Sequence, residues 1–159
     1  MATPDLITPD TLKHLTTDGI CAAERLESGY TSDEARIAEA RIASNIAREA
    51  AKHGLAIDGR TITYTAESES AGLFGKEDPY QRVWLTGTWL LDLGPAPAAV
   101  LQNGPAAGTQ LAVAAHKVFR PILIDQNRGH AYGNTIDVRR IQYDLAGYQP
   151  DTRTLIYRT

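Results

Sequence analysis

The apolar positions of this chain change their spacing near residue 54. Between Ser32 and His53 they recur at helical intervals, with Ile37 and Ala38, then Ile42, Ile46 and Ala50 tracing one face. Beyond Gly54 they fall into short runs of valine, isoleucine, leucine, threonine and tyrosine, separated by glycine and proline. Ile62 and Tyr64 share a face by the two-residue period of a strand. The pattern predicts an α+β protein: N-terminal helices followed by a mostly antiparallel β-sheet of five or six strands. It is read as a single domain over residues 1–159, with a helical part at 1–54 and a β part at 55–159.

Local signals place the elements. Thr8 is a capping residue and Pro9 suits a first helical position, which predicts a short helix over about 9–16. Asp18 is read as the cap of a second helix, about 19–28, ending at Gly29. Ser32 is read as the cap of a third, with Asp33 and Glu34 in its first turn, where negative charge suits the helix dipole. Lys52 and His53 close that helix and Gly54 stops it.

In the β part, strands are predicted at 61–66, 98–101 and 155–157. Val83 to Leu93 is read as two short strands split at Gly87, with Trp84 and Trp89 as core residues. Leu111 to Ala115 and Val118 to Ile124 are two strands or one bent one, with Pro121 at an edge or a break. Ile136 to Leu145 is a strand whose apolar parity switches at Arg139 and Arg140, which predicts a bulge there. Polar loops are expected at 67–80 and 125–135.

Composition narrows the function classes. With 43% apolar and 22% charged residues the chain resembles an ordinary folded domain, and its net charge of −3 provides no basic field for nucleic acid. Direct nucleic-acid readout is therefore not expected; Arg139 with Arg140, and Arg36, Arg41 and Arg48, are its only support. No apolar run approaches the roughly 18 residues of a membrane span, so no membrane partner is expected. Residues 1–13 carry no leader-like apolar core. Cys21 is the single cysteine, which excludes an intrachain disulfide and the cysteine zinc frameworks and fits a protein made in cytoplasm.

Candidate chemistry is sparse. His14, His53, His116 and His130 show no metal-ligand spacing. His130 stands in the polar stretch Asp125 to Tyr132, which is read as a surface loop. Cys21, in Ile20-Cys21-Ala22-Ala23, is read as a buried structural thiol. Glu67, Glu69, Glu77 and Asp78 are read as a solvated acidic group. No cofactor or metal is expected. The 67–80 loop also carries Leu73, Phe74 and Tyr80, and large apolar side chains on a loop suit a protein contact. Those three residues, together with Arg36, Arg41 and Arg48 on the third helix, are the candidate partner-binding residues.

One longer passage carries a family likeness. Leu93-Gly94-Pro95-Ala96-Pro97-Ala98-Ala99-Val100-Leu101-Gln102-Asn103-Gly104 runs from an apolar stretch through a proline pair into a short strand. A late strand then ends Ile141-Gln142-Tyr143-Asp144-Leu145-Ala146-Gly147-Tyr148. With the alanine-rich helices in front, residues 33–148 resemble the head-to-tail adaptor (connector) proteins of tailed phages. Members of that family usually continue into a helix, whereas Thr154 to Tyr157 here read as strand. The resemblance implies a non-enzymatic virion protein, made in the host cytoplasm, that forms a homo-oligomeric ring between portal and tail proteins. Other components of the same apparatus, such as a tail terminator or head-completion protein, fit nearly as well. A different reading is a small enzyme or ligand-binding domain whose Tyr64, Trp84, Trp89 and His116 line a pocket under a helix-capped curved sheet.

Overall fold

The computed structural model describes residues 5–69, 82–129 and 136–159. The fold is α+β, with, among the described residues, eight strands in two mostly antiparallel sheets and two α-helices that lead into them. The chain divides into two compact units: His14–Leu91, and the chain up to Lys13 together with Asp92–Thr159. The division falls inside the first helix, α1, Pro9–Thr17.

The His14–Leu91 unit is a three-stranded sheet with one long helix. Its strands are β1 (Ile20–Leu26), β2 (Thr63–Glu69) and β3 (Arg82–Trp89), in the order β1-β3-β2 with both pairings antiparallel. The long helix, α2, spans Ser32–Lys52 between β1 and β2. Thr31 rather than Ser32 caps it, accepting a hydrogen bond from the Glu34 amide at 3.2 Å. Gly54 follows at φ 72°, the left-handed conformation that ends a helix at little cost to glycine.

The segment expected as a helix at 19–28 is the strand β1. Cys21, Ala22, Ala23, Glu24 and Arg25 are not strong strand formers, but every residue of β1 finds a partner on β3, from Ile20↔Trp89 to Leu26↔Val83. Gly19 sets the turn at φ 76°, where a Cβ would collide with the Trp89 carbonyl. Tertiary pairing thus overrides local helix propensity.

α2 buries Ala38, Ile42, Ile46 and Ala50, as its periodicity predicts. Ile37 departs from that expectation and is 54% exposed, because it lies on the flank of the buried stripe. Opposite the helix, Leu85, Gly87 and Trp89 of β3 alternate with outward-facing Trp84, Thr86 and Thr88. The strand does not split at Gly87. Glycine there gives Ile42 room to touch the sheet, and the ladder runs through unbroken.

The other unit is a five-stranded sheet of β4 (Ala98–Leu101), β5 (Gln110–Ala112), β6 (Ile122–Gly129), β7 (Ile136–Gln149) and β8 (Thr154–Arg158), in the order β5-β4-β8-β7-β6. Only β4 with β8 is parallel. The central strand β8 buries Leu155, Ile156 and Tyr157 in succession, so both of its faces are covered. β5 ends earlier than expected. The chain leaves the ladder after Ala112, the buried Val113 donates its amide to the Pro97 carbonyl at 3.0 Å, and a 3-10 turn follows at Ala115–Lys117. β6 is longer than expected: residues 125–129 continue it rather than forming a loop, because each pairs with β7.

β7 is long enough to pair twice. Its first half meets β6 and its second half meets β8. No bulge occurs at Arg139 and Arg140, which stay in register opposite Gln126 and Asp125. The irregularity lies further on, where Leu145 faces Tyr157 and Gly147 faces Ile156, leaving Ala146 unpaired. That shift presents Tyr148 to Ile7, and the two exchange backbone hydrogen bonds at 2.9 Å.

Candidate interaction surface

The sequence-derived site residues separate when placed on the fold. Leu73, Phe74 and Tyr80 lie outside the described residues, as do His130, Glu77 and Asp78. Arg36, Arg41 and Arg48 all stand on α2. Arg41 and Arg48 are seven residues apart and share a stripe, whereas Arg36 lies about 140° around the helix from Arg41. Arg36 is held by Asp33 at 3.8 Å in an exposed pair of little energetic weight. The three arginines therefore do not make one patch.

Arg41 belongs to a cleft of about 310 Å³ between α2 and the end of β1. Glu24, Arg25, Leu26 and Glu27 line it from the strand side, and Glu34, Ile37, Ala38 and Arg41 from the helix. Buried Leu26 and Ala38 contribute its apolar part and half-exposed Ile37 stands among its charges. Glutamates and two arginines, Arg25 and Arg41, around an aliphatic rim can receive a protein side chain. They do not pair a nucleophile with a base.

A second surface comes from the strand read as a helix. The face of the three-stranded sheet turned away from α2 carries Cys21, Ala23 and Arg25 of β1, Trp84, Thr86 and Thr88 of β3, and Thr63, Thr65 and Glu67 of β2. Its rows follow the register: Arg25–Trp84–Glu67, then Ala23–Thr86–Thr65, then Cys21–Thr88–Thr63. The Arg25 guanidinium lies 4.9 Å from the centre of the Trp84 ring, a cation–π contact. Trp84 is 37% exposed, so only Trp89 of the two tryptophans is a core residue. Cys21 is exposed rather than buried, with Sγ 3.4 Å from Thr88 Oγ1. Once β1 is recognised as a strand, its alternation puts Cys21 on the outer face.

The pocket-lining set Tyr64, Trp84, Trp89 and His116 does not converge. Trp84 and Trp89 sit on opposite faces of β3. Tyr64 lies on the helix side, where its hydroxyl donates to the Glu39 carbonyl at 3.3 Å. His116 is an exposed residue of the Ala115–Lys117 turn. Among the described residues no group of three or more histidine, cysteine, aspartate or glutamate side chains is placed to hold a metal ion.

The displaced ionisations belong to structural groups. Burial pushes the Tyr157 hydroxyl up to about 12, and that hydroxyl donates to the Val118 carbonyl at 2.7 Å. Burial also raises Tyr64 and Tyr148. The Glu49 carboxyl is lowered by its hydrogen bond from Lys52, at 2.8 Å, and by the charge of that lysine. No helix among the described residues is long and apolar enough to cross a membrane. Comparison with models of known protein families, with curated proteins and with solved structures gives no match to this chain.

Proposed function

We propose that this protein is a structural assembly subunit, a ring-forming head-to-tail adaptor that joins portal and tail in a tailed-phage virion. Support comes above all from Ile37, which projects 54% exposed beside Arg41 at the cleft between α2 and β1. An exposed aliphatic residue set among charges is the composition of a contact site, where the apolar part supplies energy and the charges supply orientation. A ring closed by head-to-tail contacts needs two different surfaces on each copy. Phe119 and Leu123, 43% and 51% exposed on the five-stranded unit, are candidates for the second. The assignment to a phage adaptor draws on the sequence likeness over residues 33–148; the assembly role draws on these surfaces.

Native mass spectrometry and negative-stain imaging of the full chain, alone and mixed with the proteins encoded beside it, test the reading. Ring-shaped particles of defined copy number support it. A chain that stays monomeric with every neighbour contradicts it.

A further inference from the structure

We propose that β1 receives an added strand: its free edge, together with the cleft beside α2, takes an extended segment of another protein whose residues facing α2 include lysine or arginine. This rests on the reading of the cleft as a contact surface, and names what enters it.

The edge is open. Among the described residues β1 pairs only with β3, without a bulge over its seven residues, and no other backbone group bonds to it. The amides and carbonyls of its alternate residues therefore point away from the sheet, the template that an extended chain completes. The cleft lies along this edge, since no residue of β2 or β3 lines it. Glu39, about 200° around α2 from Ile37, marks the side of the helix that meets β2, through the Tyr64 hydroxyl. Glu34, Ile37 and Arg41 consequently overhang the outer edge of β1.

The charges choose the occupant. β1 turns Ile20, Ala22, Glu24 and Leu26 toward α2. A carboxylate on the inner face of an edge strand opposes indiscriminate pairing, because an apolar strand would bury it without a partner. A strand with a cation facing Glu24 removes that penalty. Among the described residues the carboxylates of Glu24 and Glu34 have no partner, and Glu27 has only Arg82, at 3.9 Å. Three glutamates stand against Arg41 and Arg25, and the Arg25 guanidinium is already engaged by Trp84 and within its own chain. A second copy cannot answer through its own β1, whose inner face carries no cation. Same-face residues of a strand are roughly 6.7 Å apart. A segment with cation, aliphatic and cation on alternate residues thus matches Glu24, then Leu26 with half-exposed Ile37, then Glu27 and Glu34.

The probe is a fluorescein-labelled peptide, Thr-Lys-Thr-Ile-Thr-Lys-Thr, titrated against the full chain by anisotropy. Amide NMR spectra locate it and circular dichroism controls for folding. It should bind in the micromolar to millimolar range, shift the β1 amides and Ile37, and weaken in high salt. The same peptide with glutamate in place of lysine should not bind. Glu24→Lys should weaken binding of the lysine peptide by on the order of tenfold and admit the glutamate peptide, with Glu24→Gln between. Methylating the amide nitrogens of alternate peptide residues should abolish binding for the set that faces β1 and spare it for the other. No binding, equal loss from both methylated sets, or binding indifferent to the charge at position 24 overturns the proposal. So does self-association of the chain that the peptide displaces, which would seat a second copy on this edge. A chain that binds the peptide but enters no ring fails the adaptor reading alone; one that forms rings and binds no peptide fails the strand addition alone.

Discussion

Ile42 of α2 touches β3 at Gly87, the one position on that strand's inner face with no side chain to hold it away. A Cβ at residue 87 would collide with Ile42 Cγ2 and would lie 3.0 Å from Ile62 Cγ2 and 3.2 Å from Tyr64 Cε1. Helix, edge strand and central strand of the His14–Leu91 unit thus meet at a single glycine.

Gly87→Ala should therefore destabilise the protein, although alanine suits a strand no worse than glycine. Overpacking of a closed contact costs about 1–3 kcal/mol. Urea denaturation should show the midpoint falling with the slope unchanged.

Ile37 and Ile42 make a paired test on one helix. Ile42 is fully buried, and Ile42→Ala should cost about 2–5 kcal/mol of stability. Ile37→Asp removes a side chain that is 54% exposed and should change stability by only about 0.5 kcal/mol. If Ile37 is a contact residue, the loss should appear in assembly while the thermal midpoint stays in place.

The bulge at Ala146 has a structural consequence of its own. Residue 147 passes so close to the N-terminal segment that a Cβ there would lie 2.8 Å from the Ile7 carbonyl oxygen. Gly147→Val should break the paired hydrogen bonds between Ile7 and Tyr148. Amide hydrogen exchange at those two residues should accelerate ahead of the rest of the sheet.

Tyr157 links stability to alkaline pH. Its hydroxyl ionises near 10 in the unfolded chain and at about 12 in the folded one. Below pH 10 both states hold the proton and the contribution of Tyr157 is complete. Between pH 10 and 12 the unfolded chain gains by releasing it, so stability is lost across that window. Tyr157→Phe should flatten this part of the alkaline decline, leaving Tyr64 and Tyr148 to supply the remainder. At neutral pH the same substitution should cost about 1–3 kcal/mol, because the Val118 carbonyl loses its donor.

How far the sequence reveals this molecule differs between its parts. α2 is legible because its apolar positions repeat over 21 residues and a glycine stop follows it. Its cap lies one residue earlier than expected, a distinction between adjacent Thr31 and Ser32 that composition does not make. β1 is hidden because Ala22, Ala23, Glu24 and Arg25 favour a helix in isolation; only the partner strand, some 60 residues away in the chain, makes them extended. With β1 read as helix, the outer face of its sheet is invisible, and so is the exposure of Cys21 and Trp84. Periodicity alone puts Ile37 on the buried stripe, because adjacent Ile37 and Ala38 straddle its border and only the sheet beneath decides which is covered. The parity switch along β7 is visible, but the residues nearest it are paired in register, and the strand absorbs its extra residue further on, opposite β8.

Whether this protein works through surfaces fitted to other protein copies is decided by sedimentation velocity of wild type and Ile37→Asp, side by side, with the proteins encoded next to it. The expected result is a large discrete species for the wild type and its loss in a variant that remains folded. A wild type that sediments as a lone chain under every condition, or a large species that Ile37→Asp leaves intact, would contradict it.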